Sequence, residues 1–207
     1  MVLIFLRSLV YQVLFYALLI FWLIVASKHQ SMWETFALMP FFEQPLFILK
    51  RELMWIPFFG WYLKKANMIG IDRDAGAKSL KDMARRAAEA VKHGRQLIIF
   101  PEGTRTPVDA EPHYKSGVGM IYVDCGVTCV PVALNSGLFW PRRTFMRYPG
   151  TLVVEFLEPL PPGLPRKEFN TRIATGIEEA SNRLVEAGRR EQAQLFGRVK
   201  SAAPAKG

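Results

Sequence analysis

Nineteen consecutive residues, Ser8 to Ala26, carry no charged side chain, and the run passes straight into Ser27-Lys28-His29. So apolar a stretch must hide its backbone N–H and C=O groups along with its side chains. It therefore folds as a helix in lipid or as a strand inside a sheet. As one helix it reaches about 28 Å, near the thickness of a bilayer's hydrocarbon core. The pattern assigns residues 3–20 to an apolar helix. Phe21 to Ser27 stays open: it is the end of that helix, or a buried strand that delivers His29. On the strand reading fewer than 20 residues are left for lipid, and the helix lies in or dips into one leaflet. A cleaved signal peptide is the rival, but its basic start would be Arg7 alone and no A-x-A cleavage site follows.

Charge narrows the partner. Lys and Arg number 27 against 18 Asp and Glu, a net charge of +9. Such a balance favours nucleic acid, anionic lipid or a phosphorylated substrate. No nucleic-acid motif is present and the basic residues form no long run, which argues against nucleic acid. Half the residues are hydrophobic, which excludes disorder for most of the chain. Cys125 and Cys129 have the spacing of neither a redox pair nor a usual zinc pair. They read as two small buried residues flanking a turn, and no metal site is expected.

Past His29, strand and helix patterns alternate. Ser31 to Leu38 reads as a short helix stopped by Pro40. Over residues 41–62, Phe41, Phe42, Phe47, Trp55, Phe58, Phe59, Trp61 and Tyr62 interleave with Lys50 and Arg51, with Lys64 and Lys65 just beyond. That mixture suits a membrane's headgroup boundary, or a buried aromatic core with a basic rim. Asn67 to Ile71 reads as a strand. Ser79 to His93 reads as an amphipathic helix with Ser79 and Asp82 as a capping box and Gly94 as its stop. Gln96–Phe100, Thr128–Leu134 and Thr151–Phe156 read as strands, and Gly117–Cys125 and Phe169–Ala187 as helices. The alternation predicts an α/β fold, a central mostly parallel or mixed sheet flanked by helices, behind the N-terminal hydrophobic helix. The expected division is a membrane-anchoring segment over 1–26 that runs into the first strand, a domain over 27–197, and a loose basic tail over 198–207.

Two clusters carry chemistry. On one continuous helix, His29 and Glu34 would point about 140° apart. They meet only if His29 sits in the turn before a helix and Glu34 in its first turns. The imidazole then accepts a hydroxyl proton on one nitrogen while Glu34 holds the N–H of the other. The second cluster is Phe100-Pro101-Glu102-Gly103-Thr104-Arg105. A Gly turn after a buried strand lets backbone N–H groups approach an anion, Thr104 adds a hydroxyl, and Arg105 offers a guanidinium that matches phosphate oxygens. Lys115, just before the next helix, adds charge. A tight turn with a solvated Arg would show the same residues.

His29-Gln30-Ser31-Met32-Trp33-Glu34 and Phe100-Pro101-Glu102-Gly103-Thr104-Arg105 resemble the first and third sequence blocks of the glycerolipid acyltransferases, most closely the bacterial 1-acylglycerol-3-phosphate group. Gly70-Ile71-Asp72-Arg73 resembles the second block and Val130-Pro131-Val132-Ala133 the fourth. The match spans roughly residues 27–160, with the blocks in the family's order and spacing. The resemblance implies transfer of a fatty acyl group from an acyl-CoA or acyl carrier protein thioester to the hydroxyl of lysophosphatidic acid, giving phosphatidic acid. It implies His29 as general base and Glu34 as its orienter. Arg73, Glu102, Gly103 and Arg105 would hold the acceptor phosphate or shape its pocket, and Pro131 would shape the acyl or acceptor site. It implies no metal and no bound cofactor, because a thioester is already activated. Its partners would be membrane phospholipids and those substrates, at the inner or plasma membrane with the catalytic domain on the cytoplasmic face.

Two departures stand out. The family usually carries Asp where this chain has Glu34, which is one methylene longer and can accept the same hydrogen bond. The family also usually places several tens of residues, including a core strand, between its apolar helix and its His block. Here Phe21–Ser27 substitutes for that strand, or the sheet edge is left incomplete and exposes unpaired backbone groups. The rival functions are an acyltransferase for another acceptor (glycerol-3-phosphate or a lyso-aminolipid) and an inactive membrane-associated binding protein.

Overall fold

The apolar run ends in a strand, and that strand organises the sheet. The structure, a computed structural model, describes residues 23–72 and 76–196. Its strands are β1 (Leu23–Ser27), β2 (Pro45–Lys50), β3 (Ile69–Ile71), β4 (Gln96–Ile99), β5 (Thr128–Leu134) and β6 (Val154–Phe156). Its helices are α1 (Trp33–Ala37), α2 (Phe59–Lys65), α3 (Gly76–Lys92), α4 (Gly117–Cys125), α5 (Ser136–Phe139) and α6 (Arg166–Phe196). The strands form one sheet in the order β3-β2-β4-β1-β5-β6. All neighbours are parallel except β6, which runs antiparallel to β5. This is the expected α/β architecture with a mixed sheet.

β1 is buried at all five residues and pairs with β4 on one side and β5 on the other. The sheet is therefore filled at its centre, and β3 and β6 are its edges. Of the two readings of Phe21–Ser27, the strand is what the structure shows over Leu23–Ser27. Strands buried on both faces need no polar alternation, which is why an unbroken apolar run serves here. The expected helix over 3–20, Arg73 and the basic tail over 198–207 lie outside the described residues. Among the described residues no helix is long and apolar enough to cross a membrane.

Several elements differ from expectation. β2 lies inside the aromatic segment, where no strand was predicted: Leu46 and Phe47 are buried, while Trp55, Phe58, Phe59, Trp61 and Tyr62 are exposed. The segment thus supplies both a core strand and a surface. α3 starts at Gly76, so Ser79 lies inside it and caps nothing; its hydroxyl donates to the Asp72 carbonyl instead. The predicted face of α3 is buried at Met83, Ala84, Ala87, Ala88 and Val91, with Leu80 packed against it. α6 runs nine residues past the predicted end at Ala187. Gly188 lies inside it, where the helix passes close to the side chains of Leu138 and Phe139. Its polar end is held by Glu191, which accepts from the N–H and hydroxyl of Thr151, and by Arg189, which pairs with Asp109.

Parallel strands aim their C-terminal ends at one rim. The chain leaves β1 toward β2 and leaves β4 toward β5, in opposite directions across the sheet. Between two such adjacent strands a crevice opens at the carboxyl ends, the usual ligand position in α/β sheets. His29 follows β1 and Phe100–Arg105 follow β4, so both clusters lie at that crevice.

Candidate active site

His29 sits in the turn between β1 and α1, and Glu34 is the second residue of α1. Nδ1 of His29 lies 3.0 Å from Oε1 of Glu34. The same Oε1 accepts the backbone N–H groups of Gln30 and Ser31, each at 2.7 Å, and Oε2 accepts the Ser136 hydroxyl at 2.8 Å. Glu34 is fully buried, and those four donors replace the water it has lost. A carboxylate only accepts, so the Nδ1 contact assigns the imidazole proton to Nδ1. Nε2 keeps its lone pair. The ring is 15 % exposed and stacks on Phe100, with centroids 3.9 Å apart and planes 15° apart. The ring is thus fixed on one side by a carboxylate and on one face by an aromatic, and can still be reached from outside.

The β4 turn closes on the same residue. Gly103 has φ +68°, a conformation that a side chain would strain, and Lys115 lies across it. The N–H of Thr106 donates to the His29 carbonyl at 2.7 Å. The N–H of His29 donates to Oε2 of Glu102 at 2.7 Å. Glu102 is buried, and its Oε1 lies 2.9 Å from Nζ of Lys28, at an angle that makes this an ion pair more than a directed hydrogen bond. Lys28 is itself buried and bonds to Glu178 of α6, which also accepts the Tyr114 hydroxyl at 2.8 Å. Burial beside Glu178 pushes the Tyr114 hydroxyl pKa well upward. Glu102 is thus turned inward and braces the turn that carries His29.

All the predicted site residues except Arg73 lie among the described residues. His29 and Glu34 meet directly. Gly103, Thr104 and Arg105 form the turn beside them, with Thr104 exposed and Arg105 half-buried, and Lys115 packs on that turn. Pro131 is buried in β5 opposite Ala26, in the sheet and not on the turn. A strand residue's N–H and C=O point the same way, and the Pro131 carbonyl accepts from Leu157 at 2.9 Å. Its missing N–H therefore faces the end of the β6 pairing and leaves the β1 ladder intact.

A model of the acyltransferase family matches residues 22–135, more than half of the chain. This chain belongs to the acyltransferase family. Among its relatives, the 1-acyl-sn-glycerol-3-phosphate acyltransferase of Pseudomonas aeruginosa is 44% identical over 131 residues, which cover 63% of this chain and 51% of that protein. A lyso-ornithine lipid O-acyltransferase of the same species is 31% identical over 109 residues, 53% of this chain and 41% of the other. The crystal structure of the 1-acyl-sn-glycerophosphate (LPA) acyltransferase PlsC from Thermotoga maritima superposes with a TM-score of 0.67 at 28% identity, covering 78% of this chain and 66% of that one. The chain thus spans about half the length of the Pseudomonas phosphate-acceptor relative.

Some site residues of this family member carry no local signal. Ser136 reaches Glu34 from 102 positions away, and Glu178 reaches Lys28 from 150. Gln30 Oε1 accepts the Gly137 N–H at 3.0 Å. The segment after β5 therefore closes over the His29–Glu34 turn, and an apolar strand led by Pro131 is the nearest sequence trace of it.

Proposed function

We propose that this acyltransferase moves a fatty acyl group from a thioester of coenzyme A or acyl carrier protein to the hydroxyl of 1-acylglycerol-3-phosphate at a membrane surface, yielding phosphatidic acid. The observation that carries the reading is the buried, four-fold hydrogen-bonded Glu34 holding Nδ1 of His29 beside the Arg105 turn. Nε2 takes the hydroxyl proton as the oxygen attacks the thioester carbonyl. Glu34 stabilises the imidazolium that forms. The tetrahedral intermediate collapses, the C–S bond breaks, and the imidazolium returns its proton to the departing sulfur. Such base catalysis is typically worth 10²–10⁴-fold. Arg105 and Lys115 carry no carboxylate partner among the described residues, which suits them to the acceptor's phosphate.

The membrane part of the reading rests on the exposed aromatics. Trp55 is 70 % exposed, Phe58 77 % and Trp61 63 %, with Lys64 and Lys65 closing the helix that carries Trp61. Aromatic tips beside ammonium groups fit the boundary between headgroups and acyl chains. Phe58 holds φ +62°, a strained backbone for a bulky residue, in an exposed position where burial does not reward it.

The test is acyl transfer to lysophosphatidic acid with acyl-CoA and acyl-carrier-protein donors in parallel, and His29→Ala as control. Turnover that disappears in the folded control supports the reading. Equal turnover in the variant ends the His29 mechanism. The lyso-aminolipid named for one Pseudomonas relative is the second acceptor to assay; the cationic turn favours the phosphate.

A further inference from the structure

We propose that Arg142, on the segment after α5, is a second phosphate-binding guanidinium of the acceptor site, built onto the turn that carries Arg105. The inference rests on the acyl-transfer reading above and names a residue that it does not use.

The segment from Asn135 to Arg143 touches the catalytic turns at three places. Ser136 donates to Glu34, Gly137 N–H donates to Gln30, and Nη1 of Arg142 donates to the Arg105 carbonyl. The fit is close: a methyl group on Gly137 would meet Cβ of Gln30 at 2.8 Å and Cγ2 of Val108 at 2.9 Å. Arg142 is therefore fixed against the same peptide that presents the Arg105 side chain.

Its surroundings are unfavourable for a lone cation. Nε is buried with no hydrogen-bond partner, and Nη2 has none among the described residues. No carboxylate lies within ion-pair distance of Arg105, Arg142 or Arg143 among the described residues. Burial and the charges of Arg143 and Arg105 all push the Arg142 pKa downward. Partial burial, like-charge repulsion and the unpaired Nε have one common remedy, an anion held between the guanidinium groups. A phosphate monoester fits best: it has the charge to offset two guanidinium ions and enough oxygens for both. The adjacent general base puts the acceptor's phosphate, and not the donor's, in this position.

The experiment is calorimetric titration of the full chain in detergent with a short-chain lysophosphatidic acid, and separately with coenzyme A, for wild type, Arg142→Gln and Arg142→Lys. Arg183→Gln, which removes an exposed cation paired with Glu155, controls for net charge. The expected result is a loss of about tenfold or more in lysophosphatidic acid affinity for Arg142→Gln. Arg142→Lys should fall in between, with coenzyme A affinity unchanged and Arg183→Gln like wild type. Thermal unfolding midpoints establish that the variants fold; if Arg142→Gln does not, Arg142→Lys decides alone. Loss confined to coenzyme A assigns the cluster to the donor and overturns the proposal. So does unchanged binding, or no phosphate-dependent binding by wild type. If wild type binds lysophosphatidic acid through Arg142 but transfers no acyl group, the reaction reading fails and this one stands.

Discussion

In the proposed reaction His29 acts as a base because of what surrounds its other nitrogen. Glu34 spends one oxygen on three donors and the other on Ser136, so it has no freedom to turn away from Nδ1. Glu in place of the family's usual Asp still makes the contact, at 3.0 Å. Glu34→Gln tests the charge separately from the shape. The amide oxygen can keep three of the donors and the amide nitrogen can face the Ser136 hydroxyl, so the fold should survive. Stabilisation of the imidazolium is lost, and kcat should fall on the order of 10²-fold or more. Turnover within a few-fold of wild type, measured on protein with an unchanged unfolding midpoint, would show that the carboxylate charge has no part in catalysis. The pair was legible from sequence because its five-residue spacing works only in a turn-then-helix geometry. Ser136 was not legible, since a serine over a hundred positions away leaves no periodic mark.

At the level of elements, the His29 turn is held by strands and helices that lie far from one another in the chain. β1 delivers Lys28 and His29, β4 delivers Glu102, and α6 brings Glu178 to the other side of Lys28. Lys28→Met keeps most of the length of the side chain and removes its charge, leaving Glu102 buried against the His29 amide without its cation. Breaking such a pair typically costs about 3–5 kcal/mol. The expected loss in chemical denaturation should be partly recovered by adding Glu102→Gln, which removes the stranded charge. Equal stability of Lys28→Met and wild type would mean that Glu102 is neutralised by another route. Elements with a strong period were readable: the apolar face of α3 and most of the long helix. β2 was not, because a short apolar run among aromatics looks the same whether it lines a sheet or a membrane. The end of α6 was hidden as well, since its last turns are held by Thr151 and Asp109 and not by a stripe of its own.

On the scale of the whole molecule, two bulk properties follow from what is inside and what is outside. Burial pushes the Cys125 thiol up to about 12, with Asp124 adding to the shift, and raises that of the fully buried Cys129. A thiol whose folded pKa lies above its unfolded value near 8.5 contributes its stability in full below that pH and loses it as the pH rises toward the folded value. Unfolding free energy should therefore decline above about pH 9, by up to about 1.4 kcal/mol per pH unit for each thiol. The Cys125→Ala, Cys129→Ala double variant should flatten that slope, and an unchanged slope would place the alkaline transition elsewhere. Outside, the exposed aromatics should face lipid. In single-tryptophan variants of vesicle-bound protein, brominated acyl chains should quench Trp55 and Trp61 more than Trp140, which lies under Arg147; equal quenching would deny docking by that face. Taken by itself, the sequence determined the α/β class and the apolar face of α3 and, through its resemblance to the family's blocks, singled out the His29–Glu34 pair and the Gly103–Arg105 turn, because each is written in residues close together in the chain. The tertiary structure alone decided that Leu23–Ser27 is the central strand, that Glu102 braces the turn from within, and that Ser136, Glu178 and Arg142 close around it. Those outcomes depend on strand pairing and buried charge compensation between distant segments, which local periodicity does not encode.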